Sequence, residues 1–144
     1  MQMQANVVWK DGMAFEAHLD GFSLTIDAHE MFGGRKLGPM PKGLTLVSLA
    51  GCTAMDVISI LRKMRVEVDS FEVATEGVIA DDHPKKFLEV VIKYIFKGTD
   101  LPLEKIKNAV SLSLESYCGV YATLQPAVRM SHRIIINGQE AGEV

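Results

Sequence analysis

The sequence lacks several of the features that mark common function classes. Met1-Gln2-Met3-Gln4-Ala5 has no basic stretch running into an apolar core, so no signal peptide is expected and a cytoplasmic protein is. There are only two cysteines, Cys52 and Cys118, and their separation fits neither a zinc ribbon nor a Cys-x-x-Cys redox pair. The longest charge-free apolar run, Gly43 to Met55, is 13 residues, short of a bilayer span, so no membrane partner is expected. Basic residues are not in excess: 15 Lys and Arg stand against 18 Asp and Glu, scattered along the chain, which argues against nucleic acid. No nucleophile elbow surrounds a serine, and Gly33-Gly34 and Gly38 lack the Lys-Ser/Thr ending of a phosphate loop. The four histidines match no zinc spacing, so no metal is expected.

What is present is an average globular mixture, 48% hydrophobic and 23% charged. Its 144 residues suit a single domain covering 1–144. Asp11-Gly12 and Asp20-Gly21 punctuate short apolar runs and predict a three-stranded meander over roughly 3–10, 13–19 and 22–28. Residues 32–43 hold most of the loop punctuation and read as a long, adaptable connection. A helix follows from about 42 to 64, apolar on nearly every side, and so expected to be central and buried. Its one narrow polar stripe is Thr45, Ser48, Cys52, Asp56 and Ser59.

After Arg65 the apolar period falls to two, predicting strands at 70–79 and 86–97 around an Asp81-Asp82-His83-Pro84 turn. In the second strand Leu88, Val90, Ile92, Tyr94 and Phe96 share one face. A second helix is expected with Pro102 in its first turn and a stripe of Leu103, Ile106, Val110, Leu114 and Tyr117. Cys118 would close it, with Gly119 as a left-handed cap. Ser131 to Ile136 forms a last strand, with Asn137-Gly138 as its turn. The order βββ-α-ββ-α-β points to an α+β domain.

Each cysteine reads two ways. Cys52 is either a small buried hydrophobe or a reactive thiol, and its company of Thr45, Ser48 and Asp56 on an apolar helix suits the second. A thiolate there needs a cation from elsewhere, for instance from the loop carrying Arg35, Lys36 and Lys42. Cys118 is either packing or a resolving thiol; a helix C-terminus would not activate it.

Two stretches carry a family resemblance. Gly38-Pro39-Met40-Pro41-Lys42-Gly43-Leu44, running into Ala50-Gly51-Cys52-Thr53-Ala54-Met55-Asp56, resembles the central helix of the OsmC/Ohr proteins, named for osmotic induction and organic hydroperoxide resistance. Leu112-Ser113-Leu114-Glu115-Ser116-Tyr117-Cys118 resembles the helix carrying that family's second cysteine. The resemblance implies an intertwined homodimer, with antiparallel sheets wrapped around paired central helices. It also implies a cofactor-free thiol peroxidase in which Cys52 attacks a small organic hydroperoxide, or hydrogen peroxide, and Cys118 resolves the product to a disulfide. A dithiol such as a lipoyl protein would then reduce it. Where the family places an arginine and a glutamate beside the reactive thiol, this chain has Lys10 and Lys42. Lys10, Arg35 and Lys42 are thus the candidates for charge stabilisation, and Glu115, one turn before Cys118, is placed to pair with one of them. The rival expectation is a catalytically weak stress protein of the same fold that binds a small apolar ligand at the dimer cleft.

Overall fold

The computed structural model describes residues 1–143. The chain forms two compact units, Met1–Thr45 and Leu46–Val144.

The first unit is the expected meander: β1 (Ala5–Asp11), β2 (Ala14–Leu19) and β3 (Phe22–Ile26), paired antiparallel in chain order. Gly12 and Gly21 supply the positive φ values that its two tight turns require. A 3-10 turn, Glu30–Phe32, follows. The segment after it is not the adaptable connection that its composition predicted. The Asp27 carboxylate accepts N–H groups from Ala28 at 2.7 Å, Leu37 at 3.2 Å and Arg35 at 3.3 Å, folding the segment back on β3. Two glycines make this close approach possible. A Cβ at Gly34 would lie 1.9 Å from the Ala28 carbonyl oxygen, and one at Gly38 would lie 2.0 Å from that of Thr25. Any side chain there would collide with backbone.

The helix α1 (Pro41–Lys63) leads into the second unit. It is followed by β4 (Ser70–Ile79), β5 (Phe87–Lys97), α2 (Leu103–Leu112), a π-turn (Ser113–Tyr117), α3 (Gly119–Leu124), β6 (Arg129–Ile136) and β7 (Gln139–Glu143). The four strands form one sheet in chain order. The sheet is not wholly antiparallel as expected: β5 and β6 run parallel, from Glu89 opposite Arg129 to Phe96 opposite Ile136. The cause is the connection, because α2 and α3 carry the chain back to the starting end of the sheet. The Asn137-Gly138 turn leads into β7, which the sequence pattern did not reveal.

Period-two alternation in β5 buries Val90, Ile92, Tyr94 and Phe96 on one face, where they meet Leu49, Val57 and Leu61 of α1 and Ile106 and Val110 of α2. Each such apolar side chain contributes roughly 1.5–3 kcal/mol by burial. The expectation for α1 needs correction in two respects. Only one stripe, Leu49, Thr53, Val57 and Leu61, is fully buried, while Val47 and Met55 are exposed. At 23 residues the helix is also long and apolar enough to cross a membrane, which its charge-free run had not suggested. Its buried stripe is packed into the protein core.

Candidate functional site

The spacing of α1 sets the first half of the site. Cys52 and Asp56 are four residues apart and so share a face, while Thr53, rotated by about 100°, points into the core. The second half comes from the π-turn. Its closing bond runs from the Cys118 N–H to the Ser113 carbonyl at 2.7 Å, one residue wider than an α-helical turn. The wide turn leaves Ser113 and Leu114 buried, throws Glu115, Ser116 and Tyr117 to the surface, and returns Cys118 to the interior.

Three sequence expectations therefore change. Cys118 does not close a helix; in extended conformation it caps the start of α3, its Sγ accepting the Tyr121 N–H at 3.4 Å. Gly119 is the first residue of that helix rather than a left-handed cap. Tyr117, counted on the apolar stripe of α2, is 63% exposed for the same reason.

The two halves meet. The sulfurs of Cys52 and Cys118 and a carboxylate oxygen of Asp56 all lie within 4.8 Å of one another, and both thiols are free. Cys52 is half-buried and Cys118 buried. Burial pushes the Cys118 thiol up to about 11, against the Tyr121 N–H, which favours its thiolate. Hydrogen bonding and charge from Cys52, and the charge of Asp56, add to the upward push.

Behind the sulfurs runs a chain of buried hydroxyls that sequence reasoning missed. The Tyr94 hydroxyl meets Thr53 Oγ1 at 2.8 Å, Thr53 Oγ1 meets Ser113 Oγ at 2.8 Å, and Ser113 Oγ donates to Asp56 Oδ2 at 2.9 Å. Each hydroxyl has one proton to give, so the last bond fixes the rest: Tyr94 donates to Thr53, and Thr53 to Ser113. Desolvation holds the Tyr94 phenol far above its ordinary range, so it remains a donor. Tyr94 had read only as one member of the apolar face of its strand, and Thr53 and Ser113 entered only as members of the two stretches that carry the family resemblance.

Lys10 pairs with Glu16 at 3.2 Å, and Arg35 pairs with Asp11, all four within the first unit. Lys42 stands in the first turn of α1, ten residues before Cys52. Glu115 is exposed and lines a separate pocket of about 170 Å³ with Ser111, Leu114, Tyr121 and His132. Asp56 itself opens onto a surface pocket of about 130 Å³ shared with Ser59, Ile60, Lys63 and Tyr117.

Comparison with known proteins identifies the family and the fold. The family model for OsmC-like proteins matches residues 33–133. Protein YhfA of Escherichia coli K12 is 34% identical over 131 residues, spanning 90% of this chain and 95% of that protein. A hypothetical protein from Aquifex aeolicus superposes with a TM-score of 0.80 at 28% identity, covering 95% of this chain and 98% of the other. An organic hydroperoxide resistance protein from Legionella pneumophila, described as a predicted redox protein, shares the fold with a TM-score of 0.68 at 13% identity, over 94% and 97% of the two chains.

Proposed function

The chain belongs to the OsmC-like protein family, and from that premise we propose that it is a thiol-dependent peroxidase acting on small organic hydroperoxides. One observation carries the reading: two free thiols from separate elements bring their sulfurs within 4.8 Å. A disulfide of roughly 2.05 Å then requires the two sulfurs to close by less than about 3 Å.

The half-buried sulfur of Cys52 is the nucleophile. Its thiolate attacks the terminal oxygen of R–O–O–H; the O–O bond breaks, the alkoxide takes a proton to leave as alcohol, and Cys52 becomes a sulfenic acid. Cys118 is the resolving thiol. Its raised proton affinity keeps it as S–H at neutral pH until the sulfenic acid forms. Its sulfur then bonds to that of Cys52, and the thiol proton departs with the hydroxyl as water. An external dithiol, of which a lipoyl protein is the expected kind, attacks the disulfide, restores both thiols and is itself oxidised.

We further infer that the protein acts as a homodimer in the cytoplasm. Val47 and Met55 on α1, with Trp9 and Phe22 on the meander, are exposed apolar side chains that a partner chain would cover.

The test is turnover of an alkyl hydroperoxide with dihydrolipoamide. Wild type turns over, and Cys52→Ser falls to the buffer rate. Cys118→Ser releases one equivalent of alcohol and stalls as the sulfenic acid, which a dimedone-type probe captures. Equal turnover in wild type and Cys52→Ser rejects the enzyme and leaves the ligand-binding stress protein.

A further inference from the structure

We propose that the reduced site is also a zinc-binding site, with Cys52, Cys118 and Asp56 as its three protein ligands and water as the fourth. The consequence for catalysis rests on the peroxidase reading; the binding itself does not.

The donor set comes first. Two sulfurs and one carboxylate oxygen converge within 4.8 Å. Tetrahedral zinc with Zn–S bonds of about 2.3 Å needs sulfurs roughly 3.8 Å apart, so the sulfurs have to close by no more than about 1 Å. Two thiolates select a borderline-soft ion such as zinc over magnesium or calcium, which require oxygen. Three donors with an open fourth position are the usual arrangement of an accessible zinc site rather than of a closed structural one.

The surroundings supply an independent reason. Metal ligands are held by hydrogen bonds from the layer behind them. Here Asp56 Oδ2 is fixed by Ser113 Oγ at 2.9 Å, and Ser113 is fixed in turn through Thr53 and Tyr94, all three without solvent exposure. The Cys118 sulfur is aimed by the Tyr121 N–H. On one side the site borders solvent, where Asp56 lines the surface pocket of about 130 Å³ together with Ser59, Ile60, Lys63 and Tyr117. Sequence spacing could not show this, because the ligands stand at 52, 56 and 118 and meet only through the π-turn.

Binding exchanges protons for metal. Each thiol loses one proton, and the resulting two thiolates and carboxylate neutralise the ion with one negative charge to spare. Zinc and disulfide formation then compete for the same two sulfurs. Zinc ties up the sulfur lone pairs and slows their attack on peroxide, and an oxidised pair cannot hold zinc.

The experiment uses the full chain, fully reduced and stripped of metal with a chelator. Cd2+ is titrated while the thiolate-to-metal charge-transfer absorption is followed, and Zn2+ affinity is read by competition with a chromophoric chelator. The expected result is one ion per chain, two protons released per ion, and no binding after oxidation with diamide. Asp56→Asn should weaken Zn2+ binding roughly tenfold or more. Each cysteine-to-serine change should weaken it further. Unfolding midpoints of the metal-free variants establish that they are folded. Absence of stoichiometric binding overturns the proposal, as does Asp56→Asn binding as tightly as wild type, or one ion shared by two chains. Peroxide turnover of metal-free protein is measured separately. Zinc binding without turnover would sink the peroxidase and leave this site standing; turnover without zinc binding would do the reverse.

Discussion

Asp27 is a charged side chain only 3% exposed, and its place in the fold has a pH signature. Burial by itself pushes its carboxyl upward, but the N–H groups of Leu37, Ala28 and Arg35, with the Arg35 charge, outweigh that and hold it below the ordinary carboxylate value. The unfolded chain therefore takes up the proton first as pH falls. Asp27 stabilises the fold at neutral pH, and this contribution is lost as pH drops from the ordinary aspartate value, about 3.9, through the lower folded one. Asp27→Asn should be less stable at neutral pH and show a flatter decline on the acid side. Urea midpoints measured from about pH 7 down to pH 3 check both features, and parallel curves for the two proteins would refute the assignment. None of this was legible in the sequence, where Asp27 is one acidic residue among 18 and two of its three donors, Arg35 and Leu37, lie in a stretch that composition marks as loose. Gly34 and Gly38 were visible as punctuation, but punctuation does not distinguish a mobile loop from one pressed against backbone.

The elements were more legible than their ends. Period-two alternation gave β4 and β5 almost to the residue, and the Asp-Gly pairs gave the meander, because these patterns are local and repeat. The π-turn was missed because nothing in Ser113–Tyr117 departs from helical composition, and the hydroxyl contacts that Ser113 makes beneath α1 are tertiary. Cys52 and Cys118 could be singled out by residue type and family resemblance, whereas Thr53 looks like any small helical residue. Its hydroxyl nevertheless joins α1, β5 and the π-turn, accepting from Tyr94 and donating to Ser113. Thr53→Val keeps the volume and deletes the junction, leaving the Tyr94 hydroxyl buried without an acceptor. The expected cost is about 1–3 kcal/mol, with Thr53→Ser recovering most of it, read from urea unfolding of the three proteins. A loss smaller than about 0.5 kcal/mol in the valine variant would mean that the hydroxyl chain contributes little to stability.

For the molecule as a whole, α1 presents two apolar sides where a surface helix needs only one. Leu49, Val57 and Leu61 fill the core, while Val47 is 65% and Met55 74% exposed. The sequence pattern, apolar almost all round, was thus a correct reading of the composition and an incomplete reading of what would cover it, since a single chain covers one stripe. A helix of this kind leaves its second side to another surface. A second copy of the chain is the occupant that family membership supports, and a symmetric pairing would place the same side of α1 from each protomer at the contact. Light scattering should then give a particle of twice the 15.8 kDa chain mass. Met55→Asp puts a charge on the exposed side without touching the core stripe, so the folded chain should survive while the dimer dissociates. The far-ultraviolet circular dichroism of the variant should match wild type as its mass falls to that of one chain. A variant that stays dimeric would place the interface elsewhere, with the apolar meander residues Trp9 and Phe22 as the next side chains to change.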